Sequence, residues 1–318
     1  MKKSIHAYGK YYFKTPSCPI AVQMICSDRE DQHEYDLTST AHFHDFSEIV
    51  LILSGNGIQN IDGKEYPVRQ GDIFLLNGYT EHYFSKRENL VLYNLQFSAN
   101  DLPLPECYLR KLPGYNMFFL LEPKLRHNFR KMLHTSEEEK ELLAEKICRL
   151  RNIITQQQAG FEAVAFSVLL EIIIQLAGLM PEIEDRNSSS LHRMGNIISF
   201  MENNFVHKWT LGELARKACM SENNFLRIFR RATGYSPQMY LQMLRLDHAA
   251  ELLIKTESTV GMIAEQCGFY DSNYFCKLFR RKYNMSPKQF RTSGYISMPQ
   301  RIGKGGKPEG AIPQSDEL

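Results

Sequence analysis

Nowhere in the 318 residues do two cysteines stand as a Cys-x-x-Cys pair, and the seven present make an odd number. The expectation is therefore a reduced protein with free thiols, not one stapled by a disulfide framework. Unbroken hydrophobic runs are also missing. The longest apolar-rich stretch, Phe161 to Met180, is interrupted by Glu162, Glu171 and Gln175, too polar to be expected to span a membrane. The beginning, Met1-Lys2-Lys3-Ser4, leads into tyrosines and another lysine instead of the apolar centre of a signal peptide. A cytoplasmic protein with no membrane partner is the expectation. Net charge is nearly absent, at +2. The balance is uneven, however: Ser190 to Pro299 carries 15 Lys and Arg against 8 Asp and Glu, or +7, and Met1 to Ser189 carries 20 against 25, or −5. A basic C-terminal part on an acidic N-terminal one points to a polyanionic partner for the former.

The length suggests two domains, and an apolar content of 43% suggests globular ones. Up to about Phe97 the chain reads as short strands: Ile20–Cys26, Glu48–Leu53, Asp72–Leu76 and Leu90–Phe97 are rich in Val, Ile, Leu and Phe. Gly55-Asn56-Gly57, Asp62-Gly63, Gln70-Gly71 and Asn77-Gly78 are expected turns, at intervals that suit a small barrel or sandwich. Helical periodicity then takes over. Glu137 to Glu139 place negative charge at the start of a helix running to about Gln157, and Gly160 separates it from a second helix, Phe161 to Leu179. These two helices are expected either to cover the barrel or to pair with another subunit. Pro181 to Ser190 is polar and Ser-rich, a linker, and Gln300 to Leu318 is a Gly/Pro-rich tail expected to be disordered.

Between Thr210 and Arg291 one unit is written twice. In the first copy Leu211, Leu214, Ala215 and Ala218 are followed by a turn and by Phe225, Ile228, Phe229 and Ala232. In the second, Val260, Ile263, Ala264 and Cys267 are followed by a turn and by Phe275, Leu278 and Phe279. The second stripes stand fifty residues apart, Phe225 to Phe275 and Pro237 to Pro287, but Ala215 to Ala264 is one fewer, so the second turn holds one extra residue. Two short helices joined by a tight turn, repeated, predict two helix-turn-helix units. Thr210 with Glu213 is a capping box, and Ser236-Pro237 and Ser286-Pro287 each read as a cap followed by proline in the first helical turn.

A helix-turn-helix buries one stripe of its second helix and offers the opposite stripe to the major groove. That opposite stripe is Asn223, Leu226, Arg227 and Arg230 in the first copy and Asn273, Cys276, Lys277 and Arg280 in the second. Arg suits guanine, Asn suits adenine, and Leu226 suits a thymine methyl. Arg230, Arg231, Arg280 and Arg281 lie a turn further on, where phosphate contacts fix position without reading sequence. A charged stripe opposite an apolar one is in general only a solvated helix face. Two copies with matched caps and a basic surplus argue for the functional reading.

The segments LGELARKACMSENNFLRIFRRATGYSPQMYL and VGMIAEQCGFYDSNYFCKLFRRKYNMSPKQFR resemble the DNA-binding domain of the arabinose-regulator (AraC/XylS) family, over about Leu191 to Arg291. The resemblance implies seven helices, two of them entering successive major grooves on one face of double-stranded DNA. It implies base contacts from Asn223, Leu226 and Arg227, then Ser272, Asn273, Cys276 and Lys277. Of these, Ser272 is the one that the stripe does not give, and Cys276 is unusual for a base reader.

His42-x-His44-x3-Glu48 can direct two imidazoles and a carboxylate into a barrel from one strand region, with His82 arriving from a neighbouring strand. Three imidazoles and a carboxylate suit iron, manganese, nickel or zinc. The pattern resembles a cupin, a small jelly-roll barrel, although Asn77-Gly78 stands where the second motif usually has Pro-x-Gly. Two readings follow: a divalent metal held by His42, His44, Glu48 and His82, or a cavity in which these side chains and Tyr83 hydrogen-bond an effector, with no cofactor required. The stretches HFHDFSEIVLILSGNG, GDIFLLNGYTEHYF, NLVLYNLQF and LPGYNMFFLLEP resemble the sensor domains of rhamnose-responsive members of the family. That resemblance implies a sugar ligand.

The expected architecture is thus a cupin-like β-barrel with a helical dimerisation segment (1–180), a linker (181–190), an all-α domain with two helix-turn-helix motifs (191–299) and a tail (300–318). The expected function is a sugar-responsive transcription activator, a homodimer acting on RNA polymerase. The alternative is a metal-dependent cupin enzyme fused to a DNA-binding domain.

Overall fold

The computed structural model describes residues 4–26, 39–78, 80–121, 133–179 and 190–293. The expected linker, apart from Ser190, and the tail 300–318 lie outside the described residues. Two compact units are formed, Met1–Ser199 and Phe200–Leu318.

Among the described residues the first unit is built on one eight-stranded sheet: β1 (Ile5–Ala7), β2 (Ile20–Cys26), β3 (His42–His44), β4 (Ser47–Ile61), β5 (Lys64–Arg69), β6 (Asp72–Asn77), β7 (His82–Phe97) and β8 (Leu133–His134). The order runs β1-β3-β7-β4-β6-β8, with β2 also on β7 and β5 also on β4. The two longest strands, β4 and β7, pair along their whole length, from Ser47 opposite Phe97 to Ile61 opposite His82.

Here the structure corrects one expectation. Gly55-Asn56-Gly57 makes no turn; it lies inside β4, between register shifts against β7. A Cβ on Gly55 would sit 2.1 Å from the Asn89 carbonyl oxygen, and Gly55 has φ +78°. The glycines permit a bulge and a close approach of the partner strand, a use that in sequence looks like a turn. Asp62-Gly63 is a true hairpin turn, with both φ values positive (49° and 77°) and Ile61 paired to Lys64.

Alternation along the strands sorts the side chains into two sets. Ile49, Leu51, Ile73, Leu75, Tyr93, Leu95 and Phe97 pack with α1 (Glu137–Gln156) and α2 (Phe161–Gly178) through Leu143, Ile147, Leu150, Leu169, Ile172 and Ile173. Against the expectation that this stretch is too polar, α2 is long and apolar enough by length and composition to cross a membrane; one of its faces is buried against the sheet and α1. Val50, Ile52, Ile61, Phe74, Phe84, Leu90 and Leu92 form a second core. Ser136 and Glu139 close a capping box at the start of α1.

Seven helices follow residue 189 among the described residues: α3 (Ser190–Asn203), α4 (Leu211–Lys217), α5 (Glu222–Thr233), α6 (Pro237–Lys255), α7 (Val260–Gln266), α8 (Ser272–Tyr283) and α9 (Pro287–Thr292). The expected capping box at Thr210 and the caps at Ser236 and Ser286 all form. The repeat is structural as well as textual. Phe229 meets Tyr240 edge-to-face at 5.5 Å and 87°, and fifty residues on Phe279 meets Phe290 at 5.3 Å and 85°. Arg245, buried on α6, donates to the carbonyls of Phe205, Val206 and His207 and so ties the segment before α4 to the core of the second unit.

Candidate functional site

The first unit has a polar centre. β3 supplies His42 and His44, β4 supplies Glu48 and β7 supplies His82, all four buried. Each imidazole has Nδ1 against a backbone carbonyl: His42 with Thr40 at 2.7 Å, His44 with Phe46 at 2.7 Å and His82 with Thr80 at 2.9 Å. A carbonyl only accepts, so Nδ1 carries the proton in all three, and in the neutral ring Nε2 is left as a lone-pair donor. Glu48 Oε2 lies 3.1 Å from Nε2 of His82 and 3.3 Å from Nε2 of His44. Ligand atoms of His42, Glu48 and His82 all fall within 4.8 Å of one another.

Burial, reinforced by His82, pushes the pKa of His42 down to about 4. Burial opposes the charge on Glu48, yet hydrogen bonds and attraction from His44 and His82 hold its carboxyl well below the usual value. The cluster is therefore an ionised carboxylate beside a neutral His42.

More polar groups share this face. Gln96 Nε2 donates to Glu48 Oε1 at 3.3 Å and to Gln23 Oε1 at 3.2 Å. Gln96 Oε1, Asn94 Oδ1 and both polar atoms of the fully buried Gln59 have no hydrogen-bond partner among the described residues. By alternation Asn94 and Gln96 share the face of Leu92, and Gln59 shares that of Ile61. The sequence reading missed these residues. Their signal was present: polar residues at alternate positions of an otherwise apolar strand, as in Asn94 and Gln96. Tyr83 is not brought into the cluster, because it follows His82 on β7 and so faces the other way.

In the second unit Phe225 and Phe229 of α5, and Phe275 and Phe279 of α8, are fully buried. The opposite faces are open. Asn223, Arg227, Arg230 and Arg231 are exposed and Leu226 is half-buried; Ser272, Asn273, Lys277, Arg280 and Arg281 are exposed and Cys276 is half-buried. Arg227 Nη2 donates to Asn224 Oδ1 at 2.9 Å, a partner that the stripe argument did not identify. Burial, offset by Lys288, raises the pKa of the Cys276 thiol, which keeps it neutral.

Residues 214–293 match the family described as a helix-turn-helix domain, and residues 27–150 match the AraC-like ligand binding domain. The chain belongs to the AraC family. It is a DNA-binding transcription regulator with a ligand-binding domain, in a family of regulators and not of enzymes. Among AraC-family relatives it is 28% identical to the HTH-type transcriptional activator RhaS of Escherichia coli over 253 residues, 79% of this chain and 86% of that protein. The same figures hold for RhaS of Shigella sonnei. Among solved structures it is similar to the DNA-binding domain of AdpA in complex with a target DNA, 28% identical over 32% of this chain and 91% of that one, with TM-score 0.31.

Proposed function

We propose that this regulator activates transcription in response to a sugar, rhamnose in the first instance, bound on the inner face of the cupin-like sheet. The observation that carries the ligand class is the buried polar face on which Gln96, Asn94 and Gln59 have polar atoms with no hydrogen-bond partner among the described residues, beside the Glu48 carboxylate. A polyol both donates and accepts, so it matches such a face where an apolar ligand would not. Similarity to the transcriptional activators RhaS supports the sign of regulation, and the sugar rests on the resemblance of the sensor-domain stretches to rhamnose-responsive members of the family. The base readers in this proposal are Asn223, Leu226 and Arg227, then Ser272, Asn273, Cys276 and Lys277. Arg230, Arg231, Arg280 and Arg281 hold phosphates. Residues 1–180 sense and dimerise, residues 191–299 bind DNA, and RNA polymerase is recruited in the cytoplasm.

A second reading has its own observation. With the rings of His44 and His82 neutral, the Nδ1–carbonyl bonds leave both Nε2 atoms as acceptors facing one carboxylate oxygen that also only accepts. A divalent cation between them removes the conflict; the ligand atoms of His42, Glu48 and His82 are close enough to share it, with His44 beside Glu48 as a further candidate. Such an ion would fix the cluster or be the effector itself.

The test is transcription in vitro from a template carrying a site that the protein selects from random duplexes. L-rhamnose should raise the transcript level. Activation by zinc or manganese with no response to any sugar would replace the first reading by the second.

A further inference from the structure

The two helix-turn-helix units differ by one inserted residue, and the structure identifies it. Up to the turn the offset between copies is 49: the Met220 amide donates to the Ala215 carbonyl at 2.9 Å, and the Phe269 amide to the Ala264 carbonyl at 2.9 Å. The positive-φ residues of the two turns, Cys219 (50°) and Gly268 (80°), keep the same offset. The N-caps of the second helices, Ser221 and Asp271, stand fifty apart. Tyr270 is thus the residue without a counterpart. Its side chain is 90% exposed, the most of any large apolar or aromatic residue described. Phe269 beside it is buried, its ring 5.1 Å from that of Phe275, so the turn is anchored without Tyr270.

We propose that Tyr270 is a DNA contact of the second unit, its phenol donating to a backbone phosphate at the rim of the groove that α8 enters. The proposal rests on α8 being a reading helix. Tyr270 stands just outside the Asp271 cap, whose carboxylate accepts from the amides of Asn273 at 2.7 Å and Tyr274 at 3.2 Å. The first turn of a recognition helix meets base edges, and the residue before its cap therefore lies toward the sugar–phosphate rim. A tyrosine hydroxyl is a neutral donor suited to a phosphate oxygen. It adds a fixed contact to the copy whose stripe holds a half-buried thiol in place of Leu226.

The test uses the full chain, a duplex that the wild type selects from a random-sequence pool, and a scrambled duplex. Affinities are measured by fluorescence anisotropy over a range of salt. Tyr270→Phe keeps the ring and removes the hydroxyl. It should weaken both duplexes alike by about three- to tenfold, the effect of one hydrogen bond. The salt slope should stay unchanged, because a phenol releases no counterion, whereas Arg280→Ala should reduce it by about one. Wild-type affinity in Tyr270→Phe and Tyr270→Ala, with specificity still lost in Lys277→Ala, would overturn the proposal and leave α8 as a reader. Loss on the selected duplex alone would also overturn it, by making Tyr270 a base contact. If Asn273→Ala and Lys277→Ala both leave selection unchanged, α8 is not a reader and the proposal falls with that reading.

Discussion

The Nε2 of His82 lies 3.1 Å from the Oε2 of Glu48, in a cluster where every histidine has already committed its Nδ1 to a backbone carbonyl. The same environment keeps His42 neutral, with its pKa lowered to about 4 from the ordinary 6.5. In the unfolded chain His42 binds a proton below about pH 6.5, and in the fold it does so only near pH 4. Stability contributed by the neutral ring is therefore present above pH 6.5 and is lost as pH falls toward 4, on the order of 3 kcal/mol. Thermal unfolding with a chelator present should show a falling melting temperature across this window. His42→Gln should flatten that slope; an unchanged slope would mean that another group titrates.

Arg227 is held by Asn224 while its face stays open. Arg227→Ala is expected to cost about 1–3 kcal/mol and to relax selection at one base pair. Asn224→Ala should have a smaller effect at the same base pair, because it loosens the guanidinium without removing it. Arg231→Ala should weaken all duplexes evenly and reduce the salt slope by about one. Selection from random duplexes by each variant separates these outcomes.

Asp247 joins α6 to α8: its Oδ1 accepts from Lys282 Nζ at 2.6 Å and from Tyr283 OH at 2.7 Å. Asp247→Ala leaves the largely buried Lys282 ammonium without its carboxylate and should destabilise the second unit by about 3 kcal/mol. Chemical denaturation should register this loss. A change under about 0.5 kcal/mol would show that solvent replaces the pair.

The helices α1 and α2 cover the sheet, yet Leu142, Val164 and Ile174 remain exposed. These side chains motivate the proposed dimer. The full chain should sediment as a dimer at micromolar concentration, and Leu142→Arg or Ile174→Arg should shift it to monomer. Monomeric wild type at that concentration would exclude this surface.

Much of this was legible in the sequence because the signals were local and periodic. Phe225 and Phe275, the Thr210–Glu213 box and the two Ser-Pro caps each report on a few neighbouring residues. The histidine cluster was also legible, since His42, His44 and Glu48 are close in sequence and β-structure puts them together. What was not legible depended on partners. Gly55 looks like a turn residue until Asn89 is known to lie against it. Gln59 and Asn94 are ordinary polar residues until the sheet buries their faces. Tyr83 entered the candidate list by adjacency to His82, the very adjacency that on a strand turns it away.

The most direct test of the account is a thermal-shift titration of the full chain with L-rhamnose, alongside Glu48→Gln. A ligand bound only by the native state stabilises it by about 2.7 kcal/mol at a concentration one hundred times its Kd. The account predicts a melting temperature that climbs with the logarithm of sugar concentration in the wild type and stays level in Glu48→Gln. No shift with rhamnose or any other deoxyhexose, together with a zinc- or manganese-dependent shift that disappears in His44→Ala, would contradict it.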